Sequence, residues 1–282
     1  MKRKTQTTRR SHFLLTGCIL IVCFAKATFA EEGFSPLFDG TSLEGWTAAK
    51  SKGDKDWGAF SINKEEKAIH VYAGKKQGSE QEHDCLVSKK QFSHFILRME
   101  YKWLDKRFEP RLNWDRDGGL LFHVHGDLKK VWPNCFEMQI GETPAHVRGN
   151  TKDYWKGRKP THRFHSGDYF IVPPRAHLRS QIKRKGPFWD PNGELISTNG
   201  AVITPFGKEK PKGEWNEIEI RVLGHKKATF ILNGEVVFET VNMEQKKDGK
   251  FVPIEKGHIG LQAESAELLY RNIRIKELDG NK

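Results

Sequence analysis

Val131–Glu142 reads V-W-P-N-C-F-E-M-Q-I-G-E, and within it Phe136, Met138 and Ile140 alternate with Glu137 and Gln139. A period of two marks a strand with one packed face and one face carrying polar groups. Just upstream, Asp117–His125 (D-G-G-L-L-F-H-V-H) has the same period. Leu120, Phe122 and Val124 fall on one side, and Leu121, His123 and His125 on the other. Paired as antiparallel neighbours, the two segments bring a carboxylate, an amide and two imidazoles to one face of one sheet. So many titratable and hydrogen-bonding groups on a sheet surface point to a ligand rather than to a core.

The rest of the chain has the same strand character. Phe95, Leu97, Met99, Tyr101 and Trp103 alternate with Ile96, Arg98, Glu100 and Lys102 in Phe92–Leu104. Trp57–Tyr72 reads as a hairpin. Trp215–Leu223, Ala228–Leu232, Val236–Thr240, Gly257–Ala263 and Leu268–Leu278 read as strands, with Asn233-Gly234 supplying a two-residue hairpin turn. No segment has the pattern of a three-turn helix. Many short antiparallel strands without helices predict an all-β, two-sheet jelly roll. Thr143–Asn199 stands apart as a long, basic, irregular excursion. Tyr154, Trp155, Tyr169, Phe170, Phe188 and Trp189 predict that it is partly ordered cover, because disordered tracts are poor in aromatics.

Residues 1–30 read as a signal peptide: a basic start (Lys2, Arg3, Lys4, Arg9, Arg10), an apolar run from Phe13 to Phe24, and small residues at Thr28 and Ala30. Leu15-Thr16-Gly17-Cys18 resembles a lipoprotein box, but almost no apolar segment precedes it. The expectation is export to the periplasm or beyond, with residues 31–282 as one domain and no membrane span after cleavage. Six of the 48 Lys/Arg residues and none of the 36 acids lie in positions 1–30, so cleavage halves the formal net charge from +12 to +6. That weakens a nucleic-acid reading. Cys85 and Cys135 remain and could pair in an oxidising compartment, or stay as buried thiols.

Taken together, several segments resemble the 3-keto-disaccharide hydrolase domain family, a secreted group with a concanavalin-like jelly roll. They are F-D-G-T-S-L-E-G-W (38–46), F-I-L-R-M-E-Y-K-W (95–103), D-G-G-L-L-F-H-V-H (117–125), V-W-P-N-C-F-E-M-Q-I (131–140), G-E-W-N-E-I-E-I-R-V (213–222), I-L-N-G-E-V-V (231–237) and G-H-I-G-L-Q-A-E-S…Y-R-N-I-R-I-K-E-L (257–278). Two points depart from the family. Ala263-Glu264-Ser265 follows I-G-L-Q where members usually carry an acidic or histidine residue. The Gly-Asp-aromatic element is either Asp153-Tyr154-Trp155 or Gly167-Asp168-Tyr169-Phe170.

The resemblance implies a saccharide substrate already oxidised to a ketone at ring carbon 3. That ketone acidifies the hydrogen on carbon 2. A base removes it, the enolate expels the group on carbon 1, and water adds back. Such a site needs a base poised near neutrality, a stabiliser of the enolate oxygen and a proton for the leaving group. His123 or His125 suits the base, since imidazole titrates at about pH 6.5. Glu137 could orient that imidazole or ligate a divalent cation, the one cofactor the chemistry suggests. Gln139, Lys102 and Glu100 are expected sugar contacts, with a cross-strand ion pair as the alternative for Glu100 and Lys102; Trp132 is expected as a stacking platform, and Asp168 and Gln262 complete the expected pocket. H-x-H supplies two metal ligands on one side of a strand, with no evident third.

Two other readings compete. Glu137–Glu142 (E-M-Q-I-G-E) is one residue from the E-x-D-x-x-E signature of laminarinase-type retaining glycosidases, in which Glu137 and Glu142 would stand about 5–5.5 Å apart. Strict alternation puts Glu142 on the opposite face, so that reading needs a bulge at Gly141. The other is a carbohydrate-binding module, which needs only donors and stacking surfaces.

Overall fold

The computed structural model describes residues 31–50, 58–142, 164–173, 177–204 and 208–280. The signal-peptide segment, Asp153-Tyr154-Trp155 and much of the first half of the basic excursion lie outside the described residues. Eighteen strands and no helix are present among the described residues, in two antiparallel sheets stacked as a concanavalin-like jelly roll. The small sheet runs β2 (Trp46–Ala48), β5 (Asp84–Phe92), β17 (Gly257–Ala263), β7 (Asp117–His125), β8 (Asn134–Gly141), β9 (Tyr169–Val172). The large sheet is centred on β13 (Asn216–Leu223), β6 (His94–Arg107) and β18 (Ala266–Glu277).

Period-two sequence builds the core between them. Phe95, Leu97 and Met99 of β6 lie opposite Val222, Ile220 and Ile218 of β13 and share their face. Leu120 and Phe122 of β7, with Phe136, Met138 and Ile140 of β8, pack towards them from the small sheet. Each such side chain contributes about 1.5–3 kcal/mol on burial, which fixes the register, because a one-residue slip would expose the whole set. Asn233 and Gly234 both have positive φ (51° and 86°) between β14 (Lys227–Leu232) and β15 (Glu235–Lys247), as the hairpin signal requires.

The stretch 164–199, expected to be irregular, contains β9, β10 (Leu178–Lys185), β11 (Phe188–Trp189) and β12 (Glu194–Thr198). Strand β10 pairs along β15 and lengthens the large sheet. Its sequence L-R-S-Q-I-K-R-K hides the period, because one inward position is Ser180, buried against the Tyr169 hydroxyl at 2.8 Å. Basic residues occupy much of the other face and dominate the composition.

The alternation in β7 also breaks. Phe122 pairs with Phe136 and His125 with Asn134, so two residues of β7 oppose one of β8, a bulge with His123 at φ +50°. A Cβ at Gly257 would overlap the His123 backbone, so glycine on β17 makes room for the bulge. Beyond it the faces exchange: Val124 joins a cluster on the outer side of the small sheet, and His123 turns into the core.

Candidate active site

The outer face of the small sheet carries a cavity of about 370 Å³. Its floor follows from the pairing of β7 with β8, which sets Gly119 opposite Gln139 and Leu121 opposite Glu137. Asp117, at the start of β7, bridges to Glu264 just past the end of β17. Because Gly119 has no side chain, Glu137 and Gln262 reach over it from either side. A Cβ there would overlap Glu137 Oε1 and Gln262 Oε1. Tyr270 donates to the Gln262 carbonyl at 2.9 Å and Tyr72 to that of Ala263 at 3.0 Å, which holds the end of β17 in place.

Among the described residues, three carboxyls therefore meet on this floor with one cation. Arg111 donates to Asp117 at 2.6 Å and also to Glu264. Gln139 donates to Asp117 and to the Gly118 carbonyl. Glu137, only 4% exposed, stands beside Gln262 above Gly119. Burial, then the charges of Glu264 and Asp117, pushes the Glu137 carboxyl well above its usual range. Burial and the Asp117 charge push Glu264 up to about 8, and burial raises Asp117 despite Arg111. The floor thus holds protons at pH values where ordinary carboxyls have lost them. Such perturbed, converging groups in a cavity are the mark of proton-transfer sites.

Aromatic side chains form the walls. Trp114 is exposed at the rim, with the Arg111 guanidinium 5.0 Å from its ring centre. Trp132 stands against His83, ring centres 5.2 Å apart, and Phe164 packs edge-on to Phe170 at 4.3 Å. Phe170 lies opposite Glu137 on β9, so the hairpin partner of the floor strand is also a wall. His83 bonds Ser265 Oγ at 2.8 Å, and burial with the nearby Arg111 lowers its pKa to about 4, so the ring is neutral at pH 7.

Of the residues read from sequence, Glu137, Gln139, Gln262 and Trp132 meet at this cavity. The expected common face of His123 and His125 with Glu137 is corrected. The bulge sends His123 into the core, where Nε2 faces the Gly224 carbonyl at 3.0 Å and the ring packs on Phe122 and Phe136. His125 follows it past the bulge, with Nδ1 on the His123 carbonyl at 2.8 Å. Glu100 and Lys102 lie on the large sheet, away from the cavity: Glu100 accepts from Arg271 and Lys102 donates to Glu66, both at 2.6 Å. Asp168 does not line the cavity. It accepts from the His165 and Thr204 backbone at 3.0 and 2.7 Å, and its own carbonyl accepts from Gln139 N. It pins the turn that carries Phe164 and Phe170.

The geometry required by the laminarinase reading is also absent. Strand β8 keeps regular register from Phe136 to Gly141, and Glu142 pairs with Arg116 at 2.7 Å instead of facing Glu137. Cys85 and Cys135 are buried free thiols.

Arg111, Asp117, Glu264, Trp114 and His83 were not singled out from the sequence. The signal for Asp117 was present, since it keeps the period of the polar face of β7 two residues before Gly119. Glu264 is itself an acidic residue after I-G-L-Q, so the supposed departure supplies the expected group. Arg111 and Trp114 sit in a loop with no period to mark them.

A divalent cation was the one cofactor suggested by the chemistry. Among the described residues no group of three or more His, Cys, Asp or Glu is placed to hold a metal, and a guanidinium occupies the position between Asp117 and Glu264. The floor as arranged does not fit a resident metal. No helix among the described residues is long and apolar enough to cross a membrane.

The family model described as the 3-keto-alpha-glucoside-1,2-lyase-like domain matches residues 33–276. Among solved structures, a protein described as a "putative glycosyl hydrolase" from Parabacteroides distasonis ATCC 8503 is 17% identical. The alignment covers 88% of this chain and 95% of that one, with a TM-score of 0.49. The carbohydrate-binding module CBM66 from Bacillus subtilis is 14% identical over 83% of this chain and 96% of its own, TM-score 0.43. A Bacillus subtilis protein of unknown function with a galectin-like fold is 11% identical over 86% and 94%, TM-score 0.45. Among curated proteins none matches the chain.

Proposed function

The chain belongs to the 3-keto-alpha-glucoside-1,2-lyase-like domain family, and from that premise we propose that it cleaves 3-keto-glycosides by elimination across ring carbons 1 and 2, followed by hydration. The observation that carries this reading is the buried floor of Glu137, Asp117 and Glu264 beside the guanidinium of Arg111.

Elimination needs a base stronger than an ordinary carboxylate, because a C–H bond next to a ketone is a weak acid. The ionised form of Glu137, made more basic by burial and two neighbouring carboxyls, takes the hydrogen from carbon 2. The electron pair passes to the ketone oxygen as an enolate, which the Arg111 charge stabilises in a water-poor setting. The enolate returns its electrons and breaks the bond from carbon 1 to the aglycone oxygen. Glu264, protonated at neutral pH, gives that oxygen its proton. Water then adds across the double bond, its hydroxyl to carbon 1 and its hydrogen to carbon 2. Trp114, Trp132, Phe164 and Phe170 provide apolar surface for the sugar and its substituent. Exported action, as expected from residues 1–30, belongs to the same reading.

The test uses the purified chain without residues 1–30, incubated with a 3-keto-glucoside and with its unoxidised parent, with and without chelator. Release of aglycone from the keto sugar alone, unaffected by chelator, is expected. Cleavage of the parent alone defeats the elimination mechanism, and binding without release from either sugar identifies a carbohydrate-binding module.

A further inference from the structure

Gln262 is 2% exposed and lines the cavity, yet among the described residues its Oε1 has no hydrogen-bond partner. Buried acceptors are rarely left unpaired, because the lost hydration is not repaid, and an orphan in a cavity marks where a ligand donor belongs. Its position is also constrained. Gln262 Oε1 and Glu137 Oε1 crowd the same point above Gly119, so whatever Glu137 acts upon lies beside the orphan oxygen.

We infer that Gln262 is a specificity-determining residue, whose Oε1 accepts a hydrogen bond from the hydroxyl on ring carbon 2, so that the site selects sugars keeping that hydroxyl. The inference rests on the proposed elimination, which places Glu137 against the hydrogen of carbon 2. The hydroxyl on the same carbon is then the donor nearest the neighbouring acceptor. The backbone of Gln262 is held by the Tyr270 hydroxyl and by pairing of β17 with Cys85 of β5, so the residue is in place before substrate arrives. Removing the hydroxyl does not remove the chemistry, because a 2-deoxy or 2-fluoro 3-keto-glucoside keeps an acidic hydrogen on carbon 2 and the same leaving group. The site alone distinguishes the three sugars.

The experiment compares kcat/KM for a 3-keto-glucoside and its 2-deoxy and 2-fluoro analogues, each normalised to its rate of elimination in dilute hydroxide. Binding of each is measured in parallel by calorimetry. The wild-type chain is expected to prefer the hydroxylated sugar on the order of 10²–10⁴-fold. Gln262→Leu should bring that ratio close to one, whereas Gln262→Glu, which keeps an acceptor, should preserve a preference. A purely structural role would slow all three sugars together, and an unchanged ratio in Gln262→Leu overturns the inference. Should that variant not fold, equal treatment of the three sugars by the wild-type chain overturns it by itself. Tighter binding of the hydroxylated sugar without turnover of any sinks the lyase reading and spares this one. Equal cleavage and equal binding of all three does the reverse, and no binding to any of them sinks both.

Discussion

The outer faces of the two sheets carry the same kinds of side chain and put them to opposite ends. On the large sheet, Glu100 meets Arg271, Glu66 meets Lys102, and Trp215 lies under both cations at 3.6 and 4.6 Å. Every charge named there has an opposite partner, and water reaches the cluster. On the small sheet, among the described residues, Asp117 and Glu264 share one arginine, Glu137 stands beside them without an ion pair, and an amide oxygen is left over beneath aromatic walls. Charge that is matched and wet adds a little stability. Charge that is buried and outnumbered shifts proton affinities and stores the capacity to act on a ligand.

The largest expected effect comes from removing the base. Glu137→Gln should lower kcat on a 3-keto-glucoside on the order of 10²–10⁴-fold. The melting temperature at pH 8 should not fall below wild type, because a neutral amide replaces a carboxyl that burial disfavours as an anion. A variant of normal activity would move the chemistry off this floor.

A smaller effect lies in the pH dependence of stability. For Glu137, Asp117 and Glu264 the folded pKa exceeds the unfolded one. Their contribution is therefore complete below the unfolded carboxyl range and is lost as pH rises through the folded values. For Glu264 the window runs from its ordinary value of 4.5 to about 8. Thermal melts across that window should fall by several degrees more in wild type than in Glu264→Gln. Parallel curves would mean that Glu264 ionises normally.

The smallest effect belongs to the other face. Glu100→Ala or Lys102→Ala should cost about 1 kcal/mol of stability in urea titration and leave kcat/KM within about twofold. A large loss of activity would erase the contrast between the faces.

How far the sequence could be read differs from strand to strand for identifiable reasons. Strands β6, β8 and β13 are legible because apolar residues fall on nearly every inward position. Strand β10 is not, because Ser180 interrupts the period and basic residues surround it. Glu137 and Gln139 follow from regular pairing of β7 with β8, and Gln262 from the I-G-L-Q segment of the family resemblance. His123 was misplaced because nothing local announces a left-handed residue and an extra position in β7; the room for it comes from Gly257, 134 positions later in the chain.

By itself, the order of residues determined the all-β architecture, the antiparallel pairing of β7 with β8 and the presence of a polar outer face, since each depends on contacts that repeat every second residue. Only the tertiary structure decided which groups share that face. Arg111 enters from a loop, Glu264 from the far end of β17, and one bulge exchanges the two imidazoles for them. Convergence of that kind depends on distances between segments remote in sequence, which no local period encodes.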